Sequence, residues 1–146
     1  MPKYVVEPMP GQISAEVIEL LEKTETATVG HWRHWGFVNR GIQGLLRRRV
    51  AGTAVTLQIP GPDSTLLHHA LGLLRPGDIL LVDRLGDDRH ACWGGGVTVA
   101  AKAAGAKAGV VDGPAPTSRR SRLPISRCGA VAWPPSPPAS TTWVGG

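Results

Sequence analysis

Three consecutive glycines, Gly94-Gly95-Gly96, are the residues of this chain best suited to bind a small anion. They precede Val97 and an alanine-rich stretch that predicts a helix packed closely on a sheet. A glycine run at a helix N-terminus exposes backbone N–H groups at the positive end of the helix dipole, where carboxylate or phosphate binds. Gly94, Gly95, Gly96 and Val97 are therefore the candidate substrate-binding residues. The alternative is that the glycines only form a tight turn.

The glycine run does not match the common nucleotide-binding loops. No G-x-x-x-x-G-K-[ST] motif follows it, so the sequence excludes a P-loop. A G-x-G-x-x-G motif with an acidic residue about 20 positions later is also missing, so a dinucleotide-binding fold is not supported.

The segments around the glycines predict the elements that position them. Residues 78–82 form a short apolar run behind the turn pair Pro76-Gly77, which is typical of a strand buried on both faces. Gly105 is well placed to end the helix, and the next strand is expected to start at Gly109. The candidate site therefore lies in a strand–loop–helix–strand unit.

The remaining patterns continue the alternation of helices and strands. Ser14 is a plausible N-cap for an apolar-faced helix, and residues 50–59 predict a strand. Asp63 can cap a leucine-rich helix that also carries His68 and His69, which we interpret as packing or surface residues. The order α, β, α, β, α, β predicts an α/β fold with a partly parallel sheet.

Two clusters of residues are candidates for a binding function. The segment 31–35, His-Trp-Arg-His-Trp, has two histidines that could bind a metal, but no carboxylate or third histidine lies nearby in the sequence. We interpret it as a buried or interfacial aromatic patch. Arg47-Arg48-Arg49 is a short charged edge before a strand and not a basic face, so nucleic acid is not expected as a direct partner.

Composition favours one domain of modest size. The chain has 146 residues and no apolar run long enough to span a membrane. Without a signal-peptide pattern at its start, we expect a cytoplasmic protein with no membrane contact. Its two cysteines, Cys92 and Cys128, are too few for a disulfide framework, and both are expected to be free thiols.

An ordered set of residues resembles the family of the regulator of ribonuclease E activity A. The set comprises Gly77-Asp78, Asp83, Gly86-Asp87, Ala91, Gly94-Gly95-Gly96, Ala100-Ala101, Gly105 and Gly109-Val110-Val111-Asp112-Gly113. That family also contains the class II 4-hydroxy-4-methyl-2-oxoglutarate aldolases, and its members are often labelled demethylmenaquinone methyltransferases. The resemblance implies a swivelling-domain-like α/β/α sandwich with a partly parallel sheet, usually assembled as a homotrimer or a pair of trimers.

The resemblance also implies a chemistry. Such aldolases release pyruvate from small 2-oxo acids, and many decarboxylate oxaloacetate, through an enolate stabilised by a divalent metal, Mg²⁺ or Mn²⁺. Loop amides that map onto Gly94–Val97 hold the substrate, and an Arg-Asp pair beyond the Asp-Gly motif binds substrate and metal. Those two positions are Pro116 and Thr117 here, and neither can replace an arginine or a metal-binding carboxylate.

Three functions remain open from the sequence. The chain could be a member of the lyases that act on 2-oxo acids, inactive in this sequence because its metal ligand is missing. It could instead be a protein-binding regulator of ribonuclease E, or a truncated product without function.

Residues 116–146 differ in character from the preceding domain, residues 1–115. They contain six prolines, five serines, four arginines and no acidic residue. One interpretation is a disordered appendage. The one we favour is a frameshift near residues 113–117, because the shifted frame can encode an aspartate, a short helix, a strand and an Arg-Gly turn. Either way, we expect order to end near Gly113, no regular strand ladder beyond it, and a sandwich that is incomplete at its C-terminus.

Overall fold

The computed structural model of the chain describes residues 3–45 and 48–114, together with the backbone of residues 129–132. Pro116 and Thr117, like most of the segment 116–146, lie outside these ranges. Within them, no helix has both the length and the apolar character needed to cross a membrane.

Four helices and five strands occupy the described residues. In chain order they are α1 (Ala15–Lys23), α2 (Thr26–Arg33), β1 (Gln43–Gly44), β2 (Thr53–Gln58), α3 (Thr65–Leu71), β3 (Asp78–Asp83), α4 (Gly95–Ala103), β4 (Ala108–Asp112) and β5 (Gly129–Ala132).

All five strands form one sheet in the order β1-β5-β4-β3-β2. The three strands β2, β3 and β4 are parallel, β5 is antiparallel to β4, and β1 is parallel to β5. In the central register, Thr53 pairs with Asp78 and Ile79 pairs with Ala108. The predicted α/β class with a partly parallel sheet is therefore confirmed.

The hydrophobic core lies between one face of the sheet and the helices α3 and α4. Leu67 of α3, Leu80 of β3 and Ala101 of α4 are fully buried in it. Along β3, burial alternates between full and partial because successive side chains point to opposite faces. The second face borders a cavity of about 1170 Å³, which the segment 3–10 helps to line.

Polar contacts fix the N-terminal segment to the start of the parallel strands. The buried carboxylate of Asp78 accepts hydrogen bonds from the Arg75 amide, 2.9 Å, and from Gln12 Nε2, 3.2 Å. The Ile13 amide donates to Thr53 Oγ1, 3.1 Å away. These bonds satisfy groups that would be costly to bury unpaired, and they place α1 beside the amino edge of the sheet.

Most predicted helices and strands are present, and two features differ. No element is predicted from the sequence for residues 26–33, yet the helix α2 begins at Thr26 after a break at Thr24. The expectation that residues 116–146 form no strand ladder is wrong for Gly129–Ala132, which pair with β4 and partly with β1. These four residues contain no proline, so each can donate an N–H to a ladder.

Candidate functional site

The carboxyl ends of the three parallel strands bring polar residues together at one edge of the sheet. Gln58, Asp83 and Asp112 end β2, β3 and β4, and they are neighbours in the strand register. Gln58 Nε2 donates to Asp83 Oδ2 over 3.0 Å. Ligands of parallel α/β sheets bind outside this edge, and the loop after β3 carries the chain from here to the N-terminus of α4.

The predicted anion site forms the first turn of α4. Gly94 is its N-cap with extended backbone angles, φ −134° and ψ −171°, and no side chain of the described residues caps the helix. Gly95 and Gly96 are exposed, and Val97 is buried. In the part of the chain that the structure describes, the N–H groups of Gly95, Gly96 and Val97 have no hydrogen-bond acceptor. They are therefore open to an external acceptor.

The space beside the turn is open as well. A Cβ placed on Gly94, Gly95 or Gly96 would meet no atom within 4 Å. The glycines therefore leave room for a ligand to approach the backbone. The Thr98 amide and hydroxyl both donate to the Gly94 carbonyl, each over 3.0 Å, which holds the turn in place.

Trp93 fixes the start of α4 against the sheet. Its ring is 4% exposed and lies so close to β4 that a Cβ on Gly109 would be 2.3 Å from the ring atom Cη2. The indole Nε1 donates to Thr98 Oγ1 over 3.0 Å. Only glycine at position 109 admits this contact.

Arg84 joins the loops that follow the three parallel strands. Its side chain is 1% exposed and donates to the carbonyls of Ile59 and Gly61, which follow β2. It also donates to Asp87 Oδ2 in the loop after β3, over 2.7 Å. A Cβ on Gly113, directly after β4, would be 2.6 Å from Arg84 Cγ. This one side chain therefore ties together the loops at the carboxyl edge.

Asp87 is the charged partner of Arg84 and the acceptor of a small cluster of donors. The Arg89 amide donates to it over 2.9 Å, and His90 Nδ1 lies 3.0 Å away. The Arg89 amide lowers the pKa of Asp87 most, with a further contribution from His90, to about 2 despite partial desolvation. Asp87 is therefore ionised at neutral pH.

A left-handed turn shapes the backbone between Asp83, which ends β3, and Asp87 in the following loop. Leu85 and Gly86 have φ values of 53° and 81°. The Leu85 amide donates to Asp83 Oδ1 over 2.7 Å, which stabilises a conformation that non-glycine residues seldom adopt.

The described residues do not offer a ligand set for a divalent metal. They contain no group of three or more histidine, cysteine, aspartate or glutamate side chains that could hold one. The carboxylate of Asp83 accepts from Gln58 and the Leu85 amide, and that of Asp87 accepts from Arg84 and the Arg89 amide. Both are engaged by donors that a metal would have to displace.

The structure brings the predicted residues Gly94, Gly95, Gly96 and Val97 to the carboxyl edge, but sequence reasoning missed Arg84 and Trp93. The only signal for Arg84 is its position between two aspartates directly after a buried strand, three residues before Asp87. Trp93 adjoins the glycine run and gives no periodic signal.

Other predictions fall away from this edge. His68 and His69 are exposed on α3, in agreement with a surface location. Cys92 is a free thiol, and burial raises its pKa. Cys128 lies outside the described residues. Trp32 and Trp35 of the aromatic segment are exposed in the single chain, so of the predicted buried or interfacial patch the buried alternative is wrong, and the interfacial alternative stays a prediction.

The fold and the site define an α/β protein with an open helix N-terminus at the carboxyl edge of its parallel strands. The sequence pattern of the RraA-like family, described as Aldolase/RraA, matches residues 19–122. This match covers more than half of the chain, and the chain belongs to that family. No curated protein sequence matches the chain.

Proposed function

We propose that this chain is an RraA-like protein that binds the carboxylate of a small 2-oxo acid at the N-terminus of α4, and that it does not catalyse the metal-dependent lyase reaction of related aldolases. One observation carries the proposal. The N–H groups of Gly95, Gly96 and Val97 have no acceptor among the described residues, and they belong to the helix that follows β3, at the edge where α/β proteins bind ligands.

The binding chemistry follows from the geometry of a helix terminus. Three N–H groups in one turn match the two oxygens of a carboxylate, and the helix dipole favours their negative charge. A hydrogen bond to a charged group contributes about 1.5–3 kcal/mol. The glycines keep side chains away from the approach, so a small acid can reach the backbone.

The lyase chemistry requires an electrophile that the described residues do not supply. In the aldolases that the chain resembles, a divalent metal stabilises the pyruvate enolate, and an Arg-Asp pair holds substrate and metal. Pro116 and Thr117 stand at those positions. Losing this electrophile removes several kcal/mol of transition-state stabilisation, which corresponds to orders of magnitude in rate. A bound 2-oxo acid therefore stays unreacted.

A pair of substitutions at Gly95 tests the binding site. Gly95 is the first helical residue of α4, where proline is well tolerated, and the extended backbone of Gly94 suits a residue that precedes proline. Gly95→Pro therefore removes one N–H donor and keeps the helix, whereas Gly95→Ala keeps the donor and meets no neighbouring atom.

Calorimetric titration with pyruvate compares the two variants. We expect Gly95→Ala to bind pyruvate within about twofold of the parent chain and Gly95→Pro to bind about tenfold more weakly, as the loss of one charge-assisted hydrogen bond implies. Equal affinity of the proline and alanine variants would show that the amide does not contact the ligand.

A second candidate function rests on the apolar face of α1. Val17 and Leu20 lie on one side of this helix and are 45% and 65% exposed. Such a face suits a protein partner, and the family includes regulators that bind ribonuclease E. This function is favoured over the first if the parent chain and Glu19→Gln both recover ribonuclease E and Leu20→Glu does not. Recovery of none by the parent chain would exclude it.

A further inference from the structure

Residues 26–49 combine positive charge with exposed aromatic rings. The segment has no acidic residue and includes all of the following side chains: Arg33, Arg40, Arg47, Arg48, Arg49, His31, His34, Trp32, Trp35 and Phe37. Arg47 lies outside the described residues. Val38 and Ile42 of this segment line the cavity that borders Gln58, Asp83 and Asp112, but among the described residues none of the segment's charged or aromatic side chains does.

The aromatic rings of this segment face solvent. Trp32 is 83% exposed, Trp35 75% and Phe37 70%. The helix α2 ends at Arg33, and His34 reverses the chain in a left-handed conformation with φ 57°. Exposure of this degree is unusual for neighbouring tryptophans and marks a binding surface.

A local contact gives the reversal a defined shape. The Phe37 ring lies against Gly30 of α2, where an added Cβ would be 2.8 Å from Phe37 Cζ. Trp32 and Trp35 lie between these two residues in the chain, one in the last turn of α2 and one just beyond it. Both indoles are therefore presented from a folded turn.

The charges beside the rings are only partly neutralised. Arg49 forms an ion pair with Glu25, with 2.5 Å between the atoms. Arg33 and Arg40 have no ion-pair partner within the described ranges 3–45 and 48–114. Two free guanidinium groups thus lie within eight residues of the two exposed indoles.

We infer that this turn binds single-stranded nucleic acid, with bases stacked on Trp32 and Trp35 and phosphates near Arg33 and Arg40. Exposed aromatic rings interleaved with arginines are the chemistry that recognises unpaired bases along a charged backbone. A membrane surface fits less well, because α2 alternates threonine, glycine and histidine with its few apolar residues and has no continuous apolar face. This proposal departs from the sequence-based expectation that nucleic acid is not a direct partner, which rested on the short arginine run at residues 47–49 and took the aromatic segment as a buried or interfacial patch.

Fluorescence anisotropy with a labelled 12-nucleotide oligouridine tests the proposal. We expect saturable binding at low salt that weakens about tenfold with Trp32→Ala or Trp35→Ala, because stacking on one aromatic ring is worth about 1–3 kcal/mol. Trp32→Phe retains a ring and should keep most of the affinity. Lys102→Gln, which removes an exposed charge at the far end of α4, should change nothing.

Salt dependence separates phosphate contacts from stacking. Two phosphate contacts predict that affinity falls about sevenfold between 50 and 200 mM salt, and Arg33→Gln or Arg40→Gln should reduce this to about threefold. The tryptophan variants should leave the salt slope unchanged.

Several results would overturn the proposal. A duplex of the same length would bind equally well, or both tryptophan substitutions would leave binding unchanged. The third result is adsorption to phosphatidylglycerol vesicles without any oligonucleotide binding. Self-association that Trp32→Ala abolishes, without oligonucleotide binding, would assign the surface to a second copy of the chain instead.

Discussion

At the scale of single residues, Arg84 does most to hold the candidate site together. A guanidinium that is 1% exposed must have partners, and Arg84 finds them in two carbonyls and the carboxylate of Asp87. Its Nε has no partner among the described residues. Burying this charge costs free energy, so we infer that Arg84 contributes to the fold mainly by joining the three loops.

Replacing Arg84 by methionine should destabilise the fold. The substitution keeps most of the buried volume but leaves Asp87 and the Ile59 and Gly61 carbonyls without their donor. We expect a loss of about 2–4 kcal/mol in the free energy of unfolding, measured by urea denaturation. The control, Arg89→Met, changes an exposed side chain in the same loop and should cost less than about 0.5 kcal/mol. Equal losses would mean that Arg84 does not join the loops.

Asp87 should make stability depend on acid pH. Its pKa is lowered from 3.8 to about 2 in the folded chain, so the ionised form stabilises the fold above about pH 4, and this contribution is lost as the pH falls towards 2. Asp87→Asn should therefore lower the melting temperature at pH 5 to 7, and the difference from the parent chain should shrink towards pH 2. A difference that stays constant over this range would contradict the role of the charge.

At the scale of elements, the contact between Trp93 and β4 sets where α4 begins. Gly109→Ala would place a methyl group 2.3 Å from the indole, so the ring or the strand must move. We expect a loss of about 2 kcal/mol in stability, in the range of overpacked cores, and weaker pyruvate binding because the α4 amides shift with Trp93. Gly72→Ala at the end of α3, whose nearest neighbour is 3.4 Å from the added methyl, is the matched control. If both variants unfold at the same urea concentration, the contact does not position α4.

Local sequence patterns predicted the elements around the site well. The predicted strand at 78–82 and the helix behind the glycines agree with β3 and α4, because apolar runs and glycine breaks act locally. The helix α2 was missed because its threonines and glycine have low helix propensity. The strand β5 was missed because its four residues lie in a proline-rich stretch, and only pairing with β4 reveals them.

At the scale of the whole molecule, the parallel sheet determines where the site lies. The alternation of helices and strands predicted parallel strands, and their shared carboxyl edge collects the α4 N-terminus with the ends of β2 and β4. The contacts that shape this edge were not predictable. Arg84 meets Ile59 and Gly113 across 25 and 29 positions of the chain, and local pattern carries no information on such pairs.

We expect an alternative reading frame in the encoding DNA. A single-nucleotide change between the codons of Gly113 and Thr117 should restore an aspartate near position 117 and an Arg-Gly turn later in the chain. Sequencing the DNA checks this directly. If no such frame exists, the frameshift hypothesis is wrong and residues 116–146 are a genuine tail of the protein.

The restored chain should also regain a metal ligand. Because the hard carboxylate oxygen of an aspartate suits Mg²⁺, we expect oxaloacetate decarboxylation to respond to Mg²⁺ more strongly in the restored chain than in the present one. Pyruvate release, followed with a coupled assay and a protein-free blank, measures the difference. Metal-stimulated release of pyruvate by the present chain would contradict the claim that Thr117 cannot replace the metal-binding aspartate.

A pyruvate titration followed through the ¹⁵N–¹H signals of Gly95, Gly96 and Val97, with and without Mg²⁺, tests whether the amides of α4 bind a carboxylate without a metal. We expect these three signals to shift together to saturation with the same affinity in both conditions, because the amides bind the carboxylate and no metal contributes. Signals that stay unmoved, or that shift only when Mg²⁺ is present, would contradict metal-free binding of the carboxylate at the N-terminus of α4.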